Sequence, residues 1–418
     1  MRAAECQEKS NGCGPLLRTA RESQRPLRQE VFDFVRASGH AARAEITANL
    51  DISAGTVTTL TADLIAAGYL REVERVARES GRGRPRVALE VVQEAAYVVG
   101  IKLAAHRHTA VLVDLAGNVV ADVAHVPDDS VRSLEQLLTD AETLVNALLK
   151  SSGHPRQKVQ AVGVGMPGII DHRTGIVAWS PLFAQRNVHI AATLAAKLGC
   201  PVVVDNDVNV LTLAELWFGE GRTRTDFAVV TIESGVGMGL VVGNELYRGP
   251  NGMALELGHT KVQMDGALCQ CGQRGCLEAY LADYALTREA ITALSGEFDK
   301  PQPTEDVLNA LYRLAMEGHP GAETIFRRAG RFLSLGLANV VQLFDPTLII
   351  LSGARAQYEH FYTDEVLDEM RKMTLNDGRQ RCPVVINAWD DLVWARGASA
   401  LALAEATAIL IGGEVRAA

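Results

Sequence analysis

The run Cys-Gln-Cys-Gly-Gln-Arg-Gly-Cys-Leu-Glu at residues 269–278 is the feature that most constrains the fold of this chain. It places the thiols of Cys269, Cys271 and Cys276 in one short loop, where glycines let the backbone turn sharply. His259 lies upstream and offers a fourth ligand. Three sulfurs and one nitrogen, with no open position, are typical of a structural zinc site. The sequence therefore predicts Zn²⁺ bound by these four residues; a chance cluster or a redox pair is the alternative.

The composition is that of a soluble globular protein large enough for two or three domains. The chain has 418 residues, of which 48% are hydrophobic and 22% are charged. No apolar run reaches the ~18 residues that span a bilayer, and the N-terminus lacks an apolar signal region. Four of the seven cysteines are scattered outside the zinc loop. We therefore expect a cytoplasmic protein without a disulfide framework.

The charge is distributed unevenly along the chain. The net charge is −9, but residues 1–86 hold 14 Lys and Arg against 11 Asp and Glu, a net of +3, so the remainder carries −12. A basic head on an acidic body indicates an anionic partner for the head alone. Within the head, residues 1–24 are polar and lack periodicity, and we expect a disordered tail there.

A helical pattern begins after this tail. Its apolar spacing predicts a first helix from Pro26 to about Gly39, a second over 44–50 and a third over 54–67. Ser53 is a favourable N-cap for the third helix. Small and hydroxyl residues at the start of that helix suit close approach to phosphates and base edges. A plain packing helix in a small bundle is the alternative.

Two predicted strands then enclose a basic loop. The strands cover 69–76 and 87–92, and the loop at 80–86 reads Ser-Gly-Arg-Gly-Arg-Pro-Arg. Arginines on such a backbone fit a minor groove, although a solvated linker has the same composition. Residues 25–92 are thus predicted to form a winged helix-turn-helix that binds double-stranded DNA. The predicted DNA contacts are Ser53, Gly55, Thr56, Thr58, Thr59, Arg82, Arg84 and Arg86.

From residue 93 to 418 the pattern alternates between apolar strands and amphipathic helices, which indicates an α/β fold. Two successive stretches each open with a β-hairpin and continue with crossover helices. We therefore expect two lobes. The first covers about 93–210 together with 395–418, and the second covers about 211–394 and contains the zinc loop.

Polar side chains that suit a sugar lie at two places in this α/β region. Asn206 and Asp207 follow a predicted strand over 202–205, and ligands gather at such strand ends. Asp accepts hydrogen bonds from hydroxyls, while Asn both donates and accepts them. A helix N-cap is the alternative role for Asp207. Glu256, His259 and Glu278 flank the zinc loop and are residue types that bind sugar hydroxyls.

These motifs together resemble the ROK family of repressors and sugar kinases, over about residues 95–411. The resemblance implies the hexokinase-like, actin-like ATPase fold. It also implies sugar contacts from Asn206, Asp207, Glu256, His259 and Glu278. In a kinase of this family Asp207 would be the general base. His259 would use different ring nitrogens for sugar and zinc.

The nucleotide motifs of the family kinases are degraded here. The Asp-x-Gly-Gly-Thr phosphate loop is replaced by Lys-Leu-Ala-Ala-His at 102–106. Glu-Ser-Gly at 233–235 and Ser-Gly-Ala at 352–354 replace the two later glycine motifs. Phosphoryl transfer depends on positioning and on charge stabilisation, so these losses disfavour catalysis. A sugar-binding asparagine is also missing from Ser-Pro-Leu-Phe at 180–183, and Trp179 could stack on a sugar or be a buried structural residue.

We therefore expect a transcriptional regulator of carbohydrate metabolism, acting as a repressor rather than an enzyme. A homodimer or dimer of dimers would bind a palindromic operator, and a sugar bound between the lobes would change operator affinity. The enzymatic alternative is a ROK kinase that phosphorylates a hexose with Asp207 as base. A third possibility is an interaction-only protein whose pocket is vestigial.

Overall fold

The computed structural model describes residues 12–17, 25–74, 87–127, 133–250, 252–294, 302–353, 364–375 and 382–412. The α-helices within these ranges are α1 (Leu27–Ser38), α2 (Arg43–Leu50), α3 (Ala54–Ala66), α4 (Leu134–Ser152), α5 (Ile190–Leu198), α6 (Asp207–Phe218), α7 (Glu278–Leu281), α8 (Asp283–Ala293), α9 (Thr304–Met316), α10 (Pro320–Phe344), α11 (Asp364–Met373) and α12 (Val393–Leu410). The strands are β1 (His40–Ala41), β2 (Leu70–Glu74), β3 (Val87–Val91), β4 (Tyr97–Lys102), β5 (His108–Asp114), β6 (Val119–His125), β7 (Val159–Met166), β8 (Ile169–Asp171), β9 (Ile176–Trp179), β10 (Val202–Asn206), β11 (Phe227–Ile232), β12 (Val236–Val242), β13 (Glu245–Leu246), β14 (Ile349–Ser352) and β15 (Val384–Asn387).

The N-terminal head has the predicted order of three helices followed by a two-stranded hairpin. β2 and β3 pair antiparallel, and the short β1 adds to β3 as a third strand. The helices bury one apolar face each, with Phe32 from α1, Ile46 from α2 and Leu64 from α3 fully enclosed. The same core also includes Leu115 and Ile411 from outside the head. The head therefore shares a hydrophobic core with the α/β region that follows it.

The tail predicted to be disordered over 1–24 differs from that expectation at residues 12–17. Cys13 there is only 2% exposed. Its N–H donates to the carbonyl of Arg36 at 3.1 Å, and the N–H of Gly14 donates to the carbonyl of Trp217 at 2.9 Å. Residues 12–17 therefore form a short segment whose backbone bonds to the folded protein.

The chain forms two compact units. The first comprises the described residues within Met1–Thr225, Gly243–Glu245 and Leu392–Ala418. The second comprises those within Asp226–Val242 and Leu246–Asp391. The first unit thus extends beyond the lobe boundary expected near 210, because α6 packs against α12 and the first sheet. It also contains the winged head.

The central sheet of the first unit has the strand order β10-β7-β4-β5-β6. β4, β5 and β6 pair antiparallel, whereas β4, β7 and β10 run parallel. One face buries an apolar cluster with α4 and α5, and the other is covered by α6 and α12. Glycine is required where α12 packs closely on this sheet. A Cβ on Gly100 would lie 2.0 Å from the carbonyl oxygen of Ala395, and a Cβ on Gly163 would lie 1.9 Å from the carbonyl oxygen of Ala398.

The second unit is built on a sheet with the order β13-β12-β11-β14-β15. It opens with the antiparallel hairpin β11–β12, and β14 and β15 then add in parallel. Helices α8 to α11 supply most of its apolar core. β12 begins at Val236, so Gly237 and Gly239 are strand residues, whereas Gly235 lies in the hairpin turn.

Among the described helices, α12 alone is long and apolar enough to cross a membrane by length and composition, with a mean hydropathy of 1.2. However, 67% of it is buried inside the protein. Ala398, Ala402 and Leu403 are fully enclosed. Its hydrophobicity is accounted for by its position between the first sheet and α6.

Candidate functional site

The predicted sugar residues of the first unit lie at the junction of β10 and α6. β10 ends at Asn206 and α6 begins at Asp207. Neighbouring side chains in a regular strand point to opposite faces, so both can contact one ligand only because the strand ends here. Asn206, rather than Asp207, is the N-cap: its Oδ1 accepts from the N–H of Val208 at 2.8 Å. Its Nδ2 donates to the carbonyl of Gly168 at 2.9 Å. These bonds fix the orientation of the junction.

The carboxyl of Asp207 is held at the first turn of α6. Its Oδ1 accepts from the N–H of Val208 at 3.0 Å, a favourable position for an anion at a helix N-terminus. The residue is partly exposed, but protein crowds around its carboxyl. This burial raises the pKa of Asp207, and the Lys102 ammonium opposes the rise. Burial and the charge of Lys102 therefore act on the Asp207 carboxyl in opposite directions.

The second unit brings the four predicted zinc ligands together. The ligand atoms of His259, Cys269, Cys271 and Cys276 all lie within 4.8 Å of one another. Nδ1 of His259 lies 3.7 Å from Sγ of Cys269, and Sγ of Cys271 lies 3.7 Å from Sγ of Cys276. A tetrahedron with Zn–S bonds of about 2.3 Å has edges of about 3.8 Å, so these two distances are compatible with a tetrahedral zinc ion.

Without a metal ion, burial keeps a thiol of this cluster protonated. Burial raises the pKa of the Cys269 thiol to about 12, and the Glu278 carboxylate adds to the effect. Without a cation, Cys269 stays a thiol and donates to Oε1 of Glu278 at 3.4 Å. Nζ of Lys261 lies 2.9 Å from Sγ of Cys276. A divalent ion would stabilise the thiolates and release Glu278 from this bond.

The two glutamates predicted to bind sugar have different surroundings. Glu278 is 8% exposed at the start of α7, and its Oε2 accepts from the N–H of Val236 at 3.4 Å. Glu256 is exposed and precedes a single helical turn at 257–259 that carries His259. The His259 and cysteine cluster therefore lies just after Glu256 and just before Glu278 along the chain.

The predicted DNA-contact residues of α3 lie on an open helix end. Ser53 is the N-cap, accepting from the N–H of Thr56 at 3.0 Å, and no acidic residue occupies the first turn. Thr58 and Thr59 are exposed. A Cβ on Gly55 would meet only Oγ of Ser53, at 3.7 Å, so packing does not explain this helical glycine.

The remaining predicted DNA contacts, Arg82, Arg84 and Arg86, lie outside the described residues.

Trp179 is 40% exposed at the end of β9, which excludes the fully buried structural role. Oγ of Ser180 donates to the carbonyl of Pro167 at 2.7 Å and accepts from the N–H of Leu182 at 3.2 Å. The Ser-Pro stretch therefore shapes a turn.

The sequence did not point to Arg36, which lies where the head meets α6 and α12. It is 4% exposed. Its guanidinium lies 4.8 Å from the ring centroid of Trp217, donates to Oγ1 of Thr407 at 2.7 Å and pairs with Asp33 at 2.6 Å. The available signal in the sequence was the charged Arg36 at a position on the apolar face of its helix.

Arg222 provides a second link at the same junction. Its guanidinium donates to the carbonyls of Gly14 and Ala37, and its own carbonyl accepts from the N–H of Leu16 at 2.8 Å. Burial lowers the pKa of Arg222, but not enough to neutralise a guanidinium. Residues 12–17, the head and the end of α6 are therefore bonded into one structure.

Comparison with known proteins agrees with these observations. The xylose repressor of Caldicellulosiruptor bescii is 29% identical over 340 residues, covering 79% of this chain and 82% of that protein. The DNA-binding transcriptional dual regulator NagC of Escherichia coli is 26% identical over 364 residues, covering 86% of this chain and 88% of that protein. The NagC match spans more residues than follow position 92, so it extends into the winged head.

A solved structure of a ROK family transcriptional regulator, a homologue of the Escherichia coli MLC protein, has the same fold. Its TM-score is 0.77 at 23% identity, with 92% of this chain and 97% of that chain covered. This likeness confirms the predicted fold class, including the winged head. Residues 98–405 match the sequence description of the ROK family. The chain therefore belongs to the ROK family.

Proposed function

We propose that this protein is a sugar-responsive, DNA-binding transcriptional regulator that represses genes of carbohydrate metabolism. One observation carries the proposal: α6 begins at Asp207, a sugar-type carboxylate, and Trp217 near its end contacts Arg36 of the winged head. A single helix thus reaches from an effector residue to the DNA-binding head. The printed names of the relatives, a xylose repressor and a DNA-binding dual regulator, support the same function.

We propose that the effector sugar is bound by Asn206, Asp207, Glu256, His259 and Glu278. These five supply carboxylates, a carboxamide and an imidazole, which match the donors and acceptors of a polyhydroxylated ligand. Nδ1 of His259 faces Cys269, so Nε2 is the nitrogen assigned to the sugar. Trp179 is an additional candidate for stacking on an apolar sugar face.

The DNA-binding surface is proposed to consist of the start of α3 and the wing. Ser53, Gly55, Thr56, Thr58 and Thr59 would approach the major groove, where a helix N-terminus also attracts phosphate. Arg82, Arg84 and Arg86 would enter the minor groove. A cytoplasmic homodimer, or a dimer of dimers, would place two heads on a palindromic operator.

Zinc is proposed to be structural, held by His259, Cys269, Cys271 and Cys276. The spacing of the donors supports this assignment. Four protein ligands leave no position for a reacting water, so the ion would supply folding energy and no catalysis. Its effect on the effector site would be indirect, through the backbone that carries Glu256 and Glu278.

Coupling between sugar and DNA is proposed to run through α6. A hydrogen bond from a sugar hydroxyl to Asp207 would act on the first turn of this helix. A shift of α6 would move Trp217, whose ring contacts Arg36 and whose carbonyl accepts from the N–H of Gly14 in the segment 12–17. The tight packing of α6 against α12 makes a rigid shift more favourable than local bending. The head would therefore respond to ligand as part of the first unit.

A kinase remains the second candidate function because Asp207 is present and its raised pKa suits a general base. The loss of the phosphate-loop aspartate and glycines at 102–106 argues against it. An assay of sugar-dependent ADP release at high ATP and Mg²⁺ discriminates the two. We expect no turnover above background; turnover that disappears in Asp207→Asn would establish the kinase.

The proposed regulatory function is tested by titrating a fluorescent DNA fragment with the zinc-loaded protein. The fragment is taken from the region upstream of the protein's own gene. Anisotropy is measured at several KCl concentrations, with and without a panel of monosaccharides. We expect affinity that falls steeply with salt and changes with at least one sugar. Binding that is salt-insensitive and equal on unrelated DNA would refute the proposed function.

A further inference from the structure

We propose that Lys261 is a positioning residue of the zinc site, whose ammonium donates to the ligand sulfur of Cys276 and slows release of the ion. The inference rests on the proposed structural zinc and adds a residue that binds no metal itself. Lys261 lies two positions after His259 and is exposed. It would therefore act on the metal through a ligand.

Backbone pairing places Lys261 beside Cys276. The two residues are opposite each other in an antiparallel β-bridge. The residues on either side exchange two backbone hydrogen bonds, which join the N–H of Val262 to the carbonyl of Gly275 at 2.9 Å and the N–H of Leu277 to the carbonyl of Thr260 at 3.0 Å. Lys261 and Cys276 are thus a non-hydrogen-bonded pair, the arrangement in which opposite side chains lie closest.

Gly275 allows the two segments of this bridge to approach each other. It has a φ of 77°, and a Cβ at this position would lie 1.8 Å from the carbonyl oxygen of Gln263. Any other residue would strain the backbone and push the segments apart. The position of the Lys261 side chain beside Cys276 therefore follows from the backbone and not only from the rotamer of a long side chain.

The ammonium of Lys261 joins the two segments that supply the metal ligands. Its Nζ lies 2.9 Å from Sγ of Cys276 and donates to the carbonyl of His259 at 3.2 Å. Cys276 is fully buried, so water cannot solvate its sulfur. A hydrogen bond from a cation replaces that solvation, and bonds to charged groups are the stronger class.

The charge of the filled site favours a cation at this position. Zn²⁺ with three thiolates and a neutral imidazole carries a net charge of −1. The Glu278 carboxylate, 3.4 Å from Sγ of Cys269, adds a further negative charge. The zinc loop contains another cation, Arg274, but its guanidinium donates to the carbonyl of Gly266 at 3.2 Å, whereas Lys261 contacts a ligand sulfur. Lys261 would therefore stabilise the filled site by balancing its charge.

The role of Lys261 is tested by the rate of zinc release from the zinc-loaded full chain. Lys261→Met removes the charge and the donors at similar side-chain length, and Lys261→Arg keeps both. Arg274→Met is the matched control, because it removes an exposed cation of the same loop that contacts a backbone carbonyl. Zinc is transferred to an excess of the chromogenic chelator 4-(2-pyridylazo)resorcinol, and absorbance is followed at low and high KCl.

We expect Lys261→Met to release zinc about tenfold faster than the parent at low KCl. The difference should shrink at about 1 M KCl, because salt screens an exposed ammonium. The parent rate should itself rise with salt, and the rate of Lys261→Met should respond less. Lys261→Arg and Arg274→Met should release zinc within about threefold of the parent rate, since both keep a cation beside Cys276.

Substitution of zinc by Co²⁺ gives a spectroscopic test of the hydrogen bond to sulfur. Loss of a donor raises the energy of the sulfur electrons, so the sulfur-to-cobalt charge-transfer band should move to lower energy in Lys261→Met. The band should stay in place in Lys261→Arg and Arg274→Met. A lysine that only packed against the loop would leave this band unchanged.

Two outcomes would overturn the inference and are distinguishable by the metal content of the parent. If the parent and Lys261→Met each hold about one zinc ion per chain and show equal release rates and equal cobalt spectra, Lys261 has no role at a site that does bind zinc. If the parent itself holds no zinc, the proposed metal site fails and the role of Lys261 fails with it.

Discussion

The guanidinium of Arg36 lies 4.8 Å from the ring centroid of Trp217, and this contact joins the first helix of the winged head to α6. Arg36 also bonds to Thr407 of α12 and to Asp33 of its own helix. A planar, multiply donating side chain satisfies all three partners at once. The winged head is therefore attached to the helix that carries Asp207 through a specific polar contact as well as a shared core.

Replacing Arg36 by lysine should weaken communication between sugar and DNA. Lysine keeps the charge but cannot contact Thr407 and Asp33 while stacking on Trp217, so we expect a loss of about 1–2 kcal/mol in unfolding free energy. Operator affinity without sugar should stay within about threefold of the parent, while the effect of sugar shrinks. Anisotropy titrations with and without sugar measure both.

Arg28→Lys is the matched control for this change. Arg28 makes a single bond to the carbonyl of Ile411 at 3.0 Å, which lysine can replace. Its sugar response should equal that of the parent. An undiminished sugar response in Arg36→Lys would show that the signal does not pass through this contact.

Gly55→Ala separates fold stability from DNA binding. The position has room for a methyl group and a helical backbone, so alanine should raise the unfolding free energy by up to about 1 kcal/mol. If the start of α3 lies against DNA, the same methyl should weaken operator binding roughly tenfold. Denaturant unfolding and anisotropy are the two measurements. Ala66→Ser, at the far end of α3, is the control and should leave operator affinity unchanged. Unchanged operator affinity in Gly55→Ala would show that the first turn of α3 does not contact DNA.

Cys271→Ser tests the structural metal. Cys271 is exposed, so serine disturbs the packing little and the expected effect comes from the lost ligand. Zinc content measured by plasma emission should fall from about one ion per chain to well below one. Melting temperature and sugar-induced stabilisation should fall with it, because the loop positions Glu256 and Glu278. Cys200→Ser, a partly buried cysteine outside the loop, should retain zinc. A metal-free Cys271→Ser protein with full sugar binding would contradict the structural role.

Periodicity and turn chemistry allowed much of the fold to be predicted. Ser53 as an N-cap, the hairpin β2–β3 and both α/β hairpins follow from local patterns that packing did not override. The convergence of His259 with Cys269, Cys271 and Cys276 could be predicted because these residues lie close together in the sequence. Residues 12–17 could not, since Cys13 is buried by distant elements that leave no local pattern.

The first turn of α6 also escaped the sequence, since the helix begins at Asp207 directly after β10. Asp207 and Asn209 are residue types common in turns, so the local pattern did not indicate a helix there.

Sugar binding at Asp207 is proposed to change operator binding by the winged head, and one titration tests this most directly. Operator affinity is measured for the parent and for Asp207→Ala, with and without the sugar that stabilises the parent. We predict that the two proteins bind the operator equally without sugar, and that sugar changes the affinity of the parent alone. An equal response to sugar in both proteins would contradict the account, as would loss of operator binding in a folded Asp207→Ala protein.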